Sequence, residues 1–417
     1  MTTRALTVWW DTKPVGRLTM DIHGDLGFTY AASWLADDGA RAISQSLPLR
    51  EEAFSRRECL PFFEGILPEE SQRENIAAAL GVSKNNEFHL LERLGGEIAG
   101  ALSLWPEGKV PPTLNGPFEP KFLSDKALRA KIDELPKRPL LAGEEGLRLS
   151  LAGAQAKLPV VVTPEGIALP APGQPTTHIL KPPIMRFEGT TENEAYAMRL
   201  ARRIGLDVAA VEIGRAGGRI FLLVTRYDRT TMPDGEVKRL HQEDFCQALG
   251  IISARKYASE GGPVFRDIFG LLRRAATRPA IEVLKLFDAA IYNLIIGNAD
   301  AHGKNYSLLY DGRTELAPLY DLLSTVAYPE LSPNLAMKIA RRAKLEEIHS
   351  RDWKRFAEET GLTEPFIRRR TKELCNLVLE ESRATAASFG LERPERGLMK
   401  NSQTLIERRA ERLLGSV

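Results

Sequence analysis

IIGNADAHGKNYSLLYDGRTELAPLYDLLS, from Ile295 to Ser324, sets Asp300, His302, Lys304, Asn305 and Asp321 among apolar runs. Burying a charge without a partner is expensive. Either these groups pair with one another, or something charged binds among them. Asp300 and Asn305 are five residues apart, and Asp321 follows sixteen residues after Asn305. The intervening YSLLYDGRTELAPLY reads as strand, turn and strand.

Phosphoryl transfer calls for such a set. A carboxylate orients the acceptor hydroxyl and accepts its proton. Mg²⁺ is held by one or two carboxylates together with phosphates and water. The spacing D-x-x-x-x-N is that of a protein-kinase catalytic loop, and YDL at 320–322 would stand where kinases carry Asp-Phe-Gly. His302 and Lys304 could face phosphate from the same loop. Taken alone the spacing is common, because a loop Asp is usually a turn former or a helix cap. The rest of the chain has to support it.

At 417 residues the chain exceeds one ordinary core, so two or three packed units are expected. With 43% apolar and 27% charged residues it has the composition of a globular protein. No apolar run approaches the roughly 18 residues of a membrane span, and the N-terminal stretch has no apolar signal core. Cys59, Cys246 and Cys375 form neither metal spacing nor a disulfide framework, which suits a reducing cytoplasm. A net charge of +2 implies no global attraction to nucleic acid. The basic clusters in RFAEETGLTEPFIRRRTK and LIERRAERLL read as solvated helix faces.

Along the chain, ALTVWW, VGRLTM and LGFTYA read as strands separated by turn signals. RECLPFFEGILPEESQRENIAAALG and NEFHLLERLG read as short helices. Residues 106–120, rich in Pro and Gly, read as a linker. KLPVVVTPEGIALP resembles a hairpin, THILKPP a strand, and VAAVEIGRAGGRIFLLVTRYD two more strands. TTENEAYAMRLARRIGL has helical spacing and a capping-box start at Thr191 and Glu194. After about residue 228 helical patterns dominate, among them IEVLKLFDAAIYNLIIGN, with Ile281, Leu284, Ile291 and Leu294 near 3.6-residue spacing. The expected class is α+β, with three segments: 1–110, 111–227 and a helical 228–417.

The front half supplies two further parts for phosphate chemistry. In LRLSLAGAQAKLPVVV, the small residues Ala152, Gly153 and Ala154 let backbone N–H groups approach a phosphate, and Lys157 adds charge. The order is not that of a Walker A loop. Lys181 ends the apolar strand of THILKPP, where it could pair with nucleotide phosphates or simply extend to solvent. Glu194 could pair with it or serve only as a cap.

These stretches together resemble the HipA family of bacterial serine/threonine kinase toxins. The motifs in order are FFEGILPEE (62–70), GGEIAGAL (95–102), LSLAGAQAKLP (149–159), ILKPP (179–183), ENEAYAMRLARRIGL (192–206), VTRYDR (224–229), LHQEDFCQALG (240–250), KYASEGGP (256–263), IIGNADAHGKNYSLL (295–309) and APLYDLLS (317–324). The resemblance implies a two-lobed protein-kinase-like fold with a strand-rich N-terminal lobe and a mostly helical C-terminal lobe. It implies ATP and Mg²⁺ as cofactors. Asp300 matches the catalytic Asp, and Asn305 and Asp321 match the metal ligands. Lys181 matches the ATP-phosphate lysine. Ala152, Gly153, Ala154, Gln155 and Lys157 match the phosphate-contacting loop. Thr225 to Tyr227 match the hinge that receives adenine, and His302, Lys304 and Tyr320 match nucleotide-contacting positions. Ser150 matches a serine that family members autophosphorylate, which ejects the loop and silences the kinase. The chain departs from the family at Thr225 and Ala156, where acidic residues are usual.

The resemblance further implies a toxin of a toxin–antitoxin pair, cytoplasmic and without membrane contact. Its substrate would be an aminoacyl-tRNA synthetase, the glutamate enzyme or a relative. Its partner would be a HipB-like helix-turn-helix antitoxin dimer, with operator DNA reached mainly through that antitoxin. Two competing readings are a kinase-fold co-repressor acting only in the antitoxin–operator complex, and a small-molecule phosphotransferase. The intact set Asp300, Asn305 and Asp321 argues against the first. Ser150 and the N-terminal motifs argue against the second.

Overall fold

The computed structural model describes residues 3–112, 118–390 and 393–417. Its contacts divide the chain into two compact units, each discontinuous in sequence. The first comprises Met1–Pro182, Gly214–Ser253 and Leu309–Asp311; the second comprises Pro183–Ile213, Ala254–Leu308 and Gly312–Val417.

Alternation of apolar and polar residues near the N-terminus produces the first sheet. Strands Arg4–Trp10, Lys13–Met20 and Leu26–Tyr30 form an antiparallel meander, and Leu102–Pro106 pairs with the first of them. Leu6, Val8, Leu18 and Phe28 are fully buried from this sheet. Helix Arg56–Gly65 begins in a capping box between Ser55 and Glu58 and packs Phe63 on Phe28, with ring centres 5.3 Å apart. The expected linker follows Pro106; its residues 113–117 lie outside the described residues.

The second sheet of this unit runs Lys121–Phe122, Gly166–Leu169, Leu158–Thr163, His178–Lys181 and Arg219–Thr225; a sixth strand, Val211–Ala216, enters the unit at Gly214 and ends the order. Lys181 pairs with Leu222 and His178 with Thr225 in antiparallel register. The expected hairpin at 157–170 and the strand ending in Lys181 are therefore both formed.

Helices dominate the second unit: Thr190–Arg203, Phe265–Ala275, Pro279–Ile296, Asp352–Thr360, Glu364–Ala387 and Arg393–Leu414. Strand-rich and helical parts together make the α+β class expected. Tyr292 reaches across the helical core to donate to Ala197 O at 2.6 Å. Among the described residues no helix is long and apolar enough to cross a membrane.

Three local expectations need correction. The helix at 190–203 does not start in a capping box at Thr191 and Glu194. Gly189, at φ +74°, turns the chain into the helix early, so Thr191 and Glu194 lie inside it and are buried. Along Pro279–Ile296, Ile291 and Leu294 are buried, but Ile281 and Leu284 are about 40% exposed. The buried stripe enters through Val283, Leu286 and Phe287 instead. The basic run LIERRAERLL is not wholly a solvated face. Arg408 and Arg412 are exposed, but Arg409 is buried and donates to the carbonyls of Leu294 and Ile295.

Candidate active site

In the helical unit the site begins where helix Pro279–Ile296 stops. Gly297 takes φ +73°, and a Cβ there would sit 2.4 Å from Val326 and 2.9 Å from the Arg409 guanidinium, so no larger residue fits. Asn298, almost fully buried, then uses its amide in both senses. Its Nδ2 donates to Asn293 Oδ1 at 2.9 Å and to Asp321 O at 3.2 Å, while its Oδ1 accepts from Asp300 N at 3.2 Å. One side chain thus fixes the backbones of Asp300 and Asp321, which are distant in sequence, in one frame. Thr325 adds a tie, accepting from Ala299 N and donating to Gly297 O.

Asp300 is exposed. Its Oδ1 accepts from the Tyr257 hydroxyl at 2.7 Å. The loop then turns tightly: His302 N donates to Asp300 O at 2.7 Å, and Asn305 N to His302 O at 3.0 Å. Asp321 is held at φ +52°, a left-handed conformation that costs a non-glycine residue energy and that Asp tolerates better than most. Strain of this kind persists only where the surroundings over-determine it. Tyr320 donates to Lys304 O at 2.7 Å and contacts Ser307 Oγ at 2.8 Å, tying the two halves of the motif together.

The donor set fits Mg²⁺. Asn305 Oδ1 is buried and has no hydrogen-bond partner among the described residues. An amide oxygen in that state costs about 1–3 kcal/mol unless a ligand satisfies it. An amide oxygen and a carboxylate such as that of Asp321 are the donor types that suit a hard cation which keeps phosphate and water for its other positions.

The strand-rich unit carries the other predicted residues. Ser150 is fully buried; its N–H donates to Glu97 O and its hydroxyl to Ile66 O, each at 2.9 Å. Gly153 adopts φ +107°, and a Cβ there would lie 2.6 Å from Lys157 Nζ. Lys157 Nζ folds back on Ala152 O at 2.6 Å, so the loop closes on itself around that ammonium. Gln155 reaches Pro182 O at 3.5 Å, one residue beyond Lys181. Lys181 itself is 95% buried at its strand end. Thr225 is exposed, and the Tyr227 hydroxyl donates to Gln242 at 2.6 Å.

Sequence reasoning missed what holds this half together. Glu97, 2% exposed, bridges Arg226 at 3.1 Å, Arg229 at 2.8 Å and Arg239 at 2.7 Å, and also accepts from Thr176. Asp228 pairs with Arg226 and Arg229. Burial alone would raise the Glu97 carboxyl, but the three guanidiniums overcome it and hold the group well below its ordinary range. Because Glu97 O also receives Ser150 N, one residue anchors both the 149–157 loop and the segment carrying Thr225 and Tyr227. The available signal was an acid inside the largely apolar GGEIAGAL and the charges of VTRYDR directly after an apolar strand. Asn298 and Tyr257 were likewise not singled out.

Family models match most of the chain. The HipA N-terminal domain covers residues 6–105, and the HipA-like C-terminal domain covers residues 149–382. The Y4mE protein of Sinorhizobium fredii, whose name classes it with the kinases, is 59% identical over 91% of both chains. The serine/threonine-protein kinase toxin HipA of Shewanella oneidensis is 28% identical over 97% of this chain and 94% of that one. A solved complex of HipA, HipB and operator DNA from Shewanella oneidensis MR-1 superimposes with a TM-score of 0.86 at 27% identity, covering 98% of this chain and 97% of the other. The chain belongs to the HipA family and is a serine/threonine protein kinase.

Proposed function

We propose that this kinase uses Mg²⁺-ATP to phosphorylate a protein hydroxyl, with Asp300 as the base that orients the acceptor and takes its proton. The observation that carries the reading is the Asn298 amide, which fixes the backbones of Asp300 and Asp321 in one frame; the unsatisfied Asn305 oxygen supports it. Asn305 and Asp321 would hold the Mg²⁺. Lys181, Lys157, Gln155 and the backbone of Ala152 to Ala154 would bind phosphates, with His302, Lys304 and Tyr320 contacting the nucleotide from the catalytic loop. Thr225 and Tyr227 would receive adenine. When bound, Mg²⁺-ATP supplies the phosphoryl group and the counter-charge for its phosphates. The protein contributes positioning and electrostatics.

The physiological substrate in this reading is an aminoacyl-tRNA synthetase, the glutamate enzyme or a relative, so that phosphorylation arrests translation and growth in the cytoplasm. A HipB-like antitoxin dimer restrains the kinase and carries it to operator DNA. Similarity to the Shewanella complex supports this partner. The modest net charge of +2 supports DNA contact mainly through the antitoxin. Phosphorylation of Ser150 would silence the enzyme. Its complete burial supports this, because a phosphate cannot be accommodated where the hydroxyl now donates to Ile66 O.

Intact-mass spectrometry of dephosphorylated protein after incubation with Mg²⁺-ATP tests the core of the reading. Wild type is expected to gain a phosphate that neither Asp300→Asn nor Ser150→Ala gains. Phosphate on Asp300→Asn would remove Asp300 from its role. An inert wild type that still binds ATP would favour the co-repressor reading. Purified synthetases offered as acceptors then identify the target.

A further inference from the structure

Between Glu192 and Glu194 stands Asn193, 1% exposed on helix Thr190–Arg203. Its amide carries a donor and an acceptor, as a peptide group does, and both engage one residue. Oδ1 accepts from Ser324 N at 2.8 Å, and Nδ2 donates to Ser324 O at 2.9 Å. Ala327 N also donates to that carbonyl, at the longer distance of 3.4 Å. Nδ2 reaches the Tyr328 hydroxyl as well, at 3.3 Å. A helix side chain thereby pairs with backbone 131 residues away as a neighbouring strand would. The helix is itself a fixed support. It opens at Gly189, where a Cβ would come within 3.2 Å of Leu398, and Asn193 N donates to Gly189 O at 2.9 Å.

Ser324 follows Asp321 by three residues, and the stretch between them is held at both ends. At the first end Asn298 Nδ2 donates to Asp321 O at 3.2 Å. At the other Asn193 takes Ser324, and Thr325 is tied to Gly297 and Ala299. Leu322, between the ends, is buried. Within this frame Asp321 keeps φ +52°, a conformation that relaxes unless its surroundings over-determine it. The rotamers open to a side chain depend on its backbone dihedrals, so what fixes this backbone also limits where the carboxylate can go. We propose that Asn193 is a positioning residue for Mg²⁺: by pinning both backbone groups of Ser324, it holds Asp321 in the left-handed conformation that the metal site uses. The proposal rests on the reading of Asp321 as a holder of Mg²⁺.

Asn193→Asp keeps the size of the side chain and the acceptor for Ser324 N but loses the donor to Ser324 O. Asn193→Ala loses both. The full chain as wild type, these two variants and Asp321→Asn, which tolerates the same backbone, are titrated with Mn²⁺, an ion that suits the same oxygen donors as Mg²⁺. A non-hydrolysable ATP analogue is present, the electron paramagnetic resonance of free Mn²⁺ reads binding, and a protein-free titration gives the baseline. Calorimetry gives the affinity for the analogue without metal, and amide hydrogen exchange the protection of Ser324. Both Asn193 variants are expected to bind Mn²⁺ about ten-fold more weakly, with affinity for the metal-free analogue within about two-fold of wild type. A merely structural role would lower the melting temperature and leave Mn²⁺ affinity below it unchanged. Wild-type Mn²⁺ affinity in the folded Asn193 variants, with Asp321→Asn weakened, would overturn the positioning role alone. An equal loss of affinity for the metal-free analogue would also overturn it, making Asn193 a support for the nucleotide site in general. Should neither Asn193 variant fold, wild type decides. Coupling is reciprocal, so Mn²⁺ with the analogue must slow exchange at the Ser324 amide relative to helix Asp352–Thr360, and no slowing overturns the proposal. Unchanged Mn²⁺ affinity in Asp321→Asn, or no binding by wild type, would remove the metal reading and the proposal with it.

Discussion

Glu97 gathers three buried arginines of the strand-rich unit. Three arginines converge on a carboxylate that solvent does not reach. Removing one member of a buried charge set leaves the others uncompensated, at a cost of about 3–5 kcal/mol. Glu97→Gln is therefore expected to lower stability by about that amount in urea denaturation at neutral pH. Because the folded group titrates below its ordinary 4.5, its contribution is complete above that pH and fades as the pH falls further. Glu97→Gln should accordingly differ least from wild type at the acid end; a constant difference down to the lowest accessible pH would contradict the assignment. Asp300, Asn305 and Asp321 stand out in the sequence because their spacing is local and phosphoryl transfer calls for residues of those types. Glu97 was not, because its partner Arg229 lies 132 residues away and no local pattern announces the pair. Asn298 was hidden for a different reason. An Asn beside a helix-ending glycine reads as a turn residue, and only the fold reveals that its amide faces two ways.

Elements were legible where their periodicity had one interpretation. The N-terminal meander follows from alternation, and the helices after residue 228 follow from 3.6-residue spacing. Errors arose where apolar residues outnumbered the buried positions, as at Ile281 and Leu284, or where a glycine outweighed a side-chain cap, as at Gly189. Strand His241–Asp244 shows what pattern alone does not disclose. Two of its residues, His241 and Glu243, are spaced to share one face, and both are buried. Burial pushes His241 down to about 4, opposed by its contact with Ile43 O and by the Asp228 charge. Burial pushes Glu243 up to about 7, reinforced by Asp244 and opposed by donors from Ser44, Tyr310 and Gln45. The raised acid weakens the fold as pH rises from 4.5 to about 7, while the lowered base weakens it as pH falls from 6.5 to about 4. Each displacement corresponds to about 3 kcal/mol, so the two nearly cancel where they overlap. Glu243→Gln should unmask the histidine, giving melting temperatures that rise between about pH 4.5 and 6.5. His241→Asn should unmask the acid and reverse the slope. Parallel slopes in both variants would show that the groups do not oppose each other.

On the scale of the whole molecule, the kinase-like class was legible because ten short motifs recur in one order along nearly the full chain. The discontinuity of the two units was not, since no composition change marks where a chain returns to an earlier sheet. Strand Arg219–Thr225 pairs with His178–Lys181, and Arg226, Arg229 and Arg239 come from the same returning segment. A fragment ending at Pro182 would keep Glu97 and lose all three of its cations. Such a fragment is expected to show no cooperative thermal transition by circular dichroism; a transition matching that of the full chain would refute this dependence. The same reasoning gives a temporal meaning to Arg409. Its guanidinium, carried by helix Arg393–Leu414, closes the last carbonyls of the helix that leads into Asp300. A ribosome makes that helix long after it has made the loop that carries Asp300. A nascent chain whose Arg409 has not yet emerged lacks one of the ties on the segment that leads into Asp300.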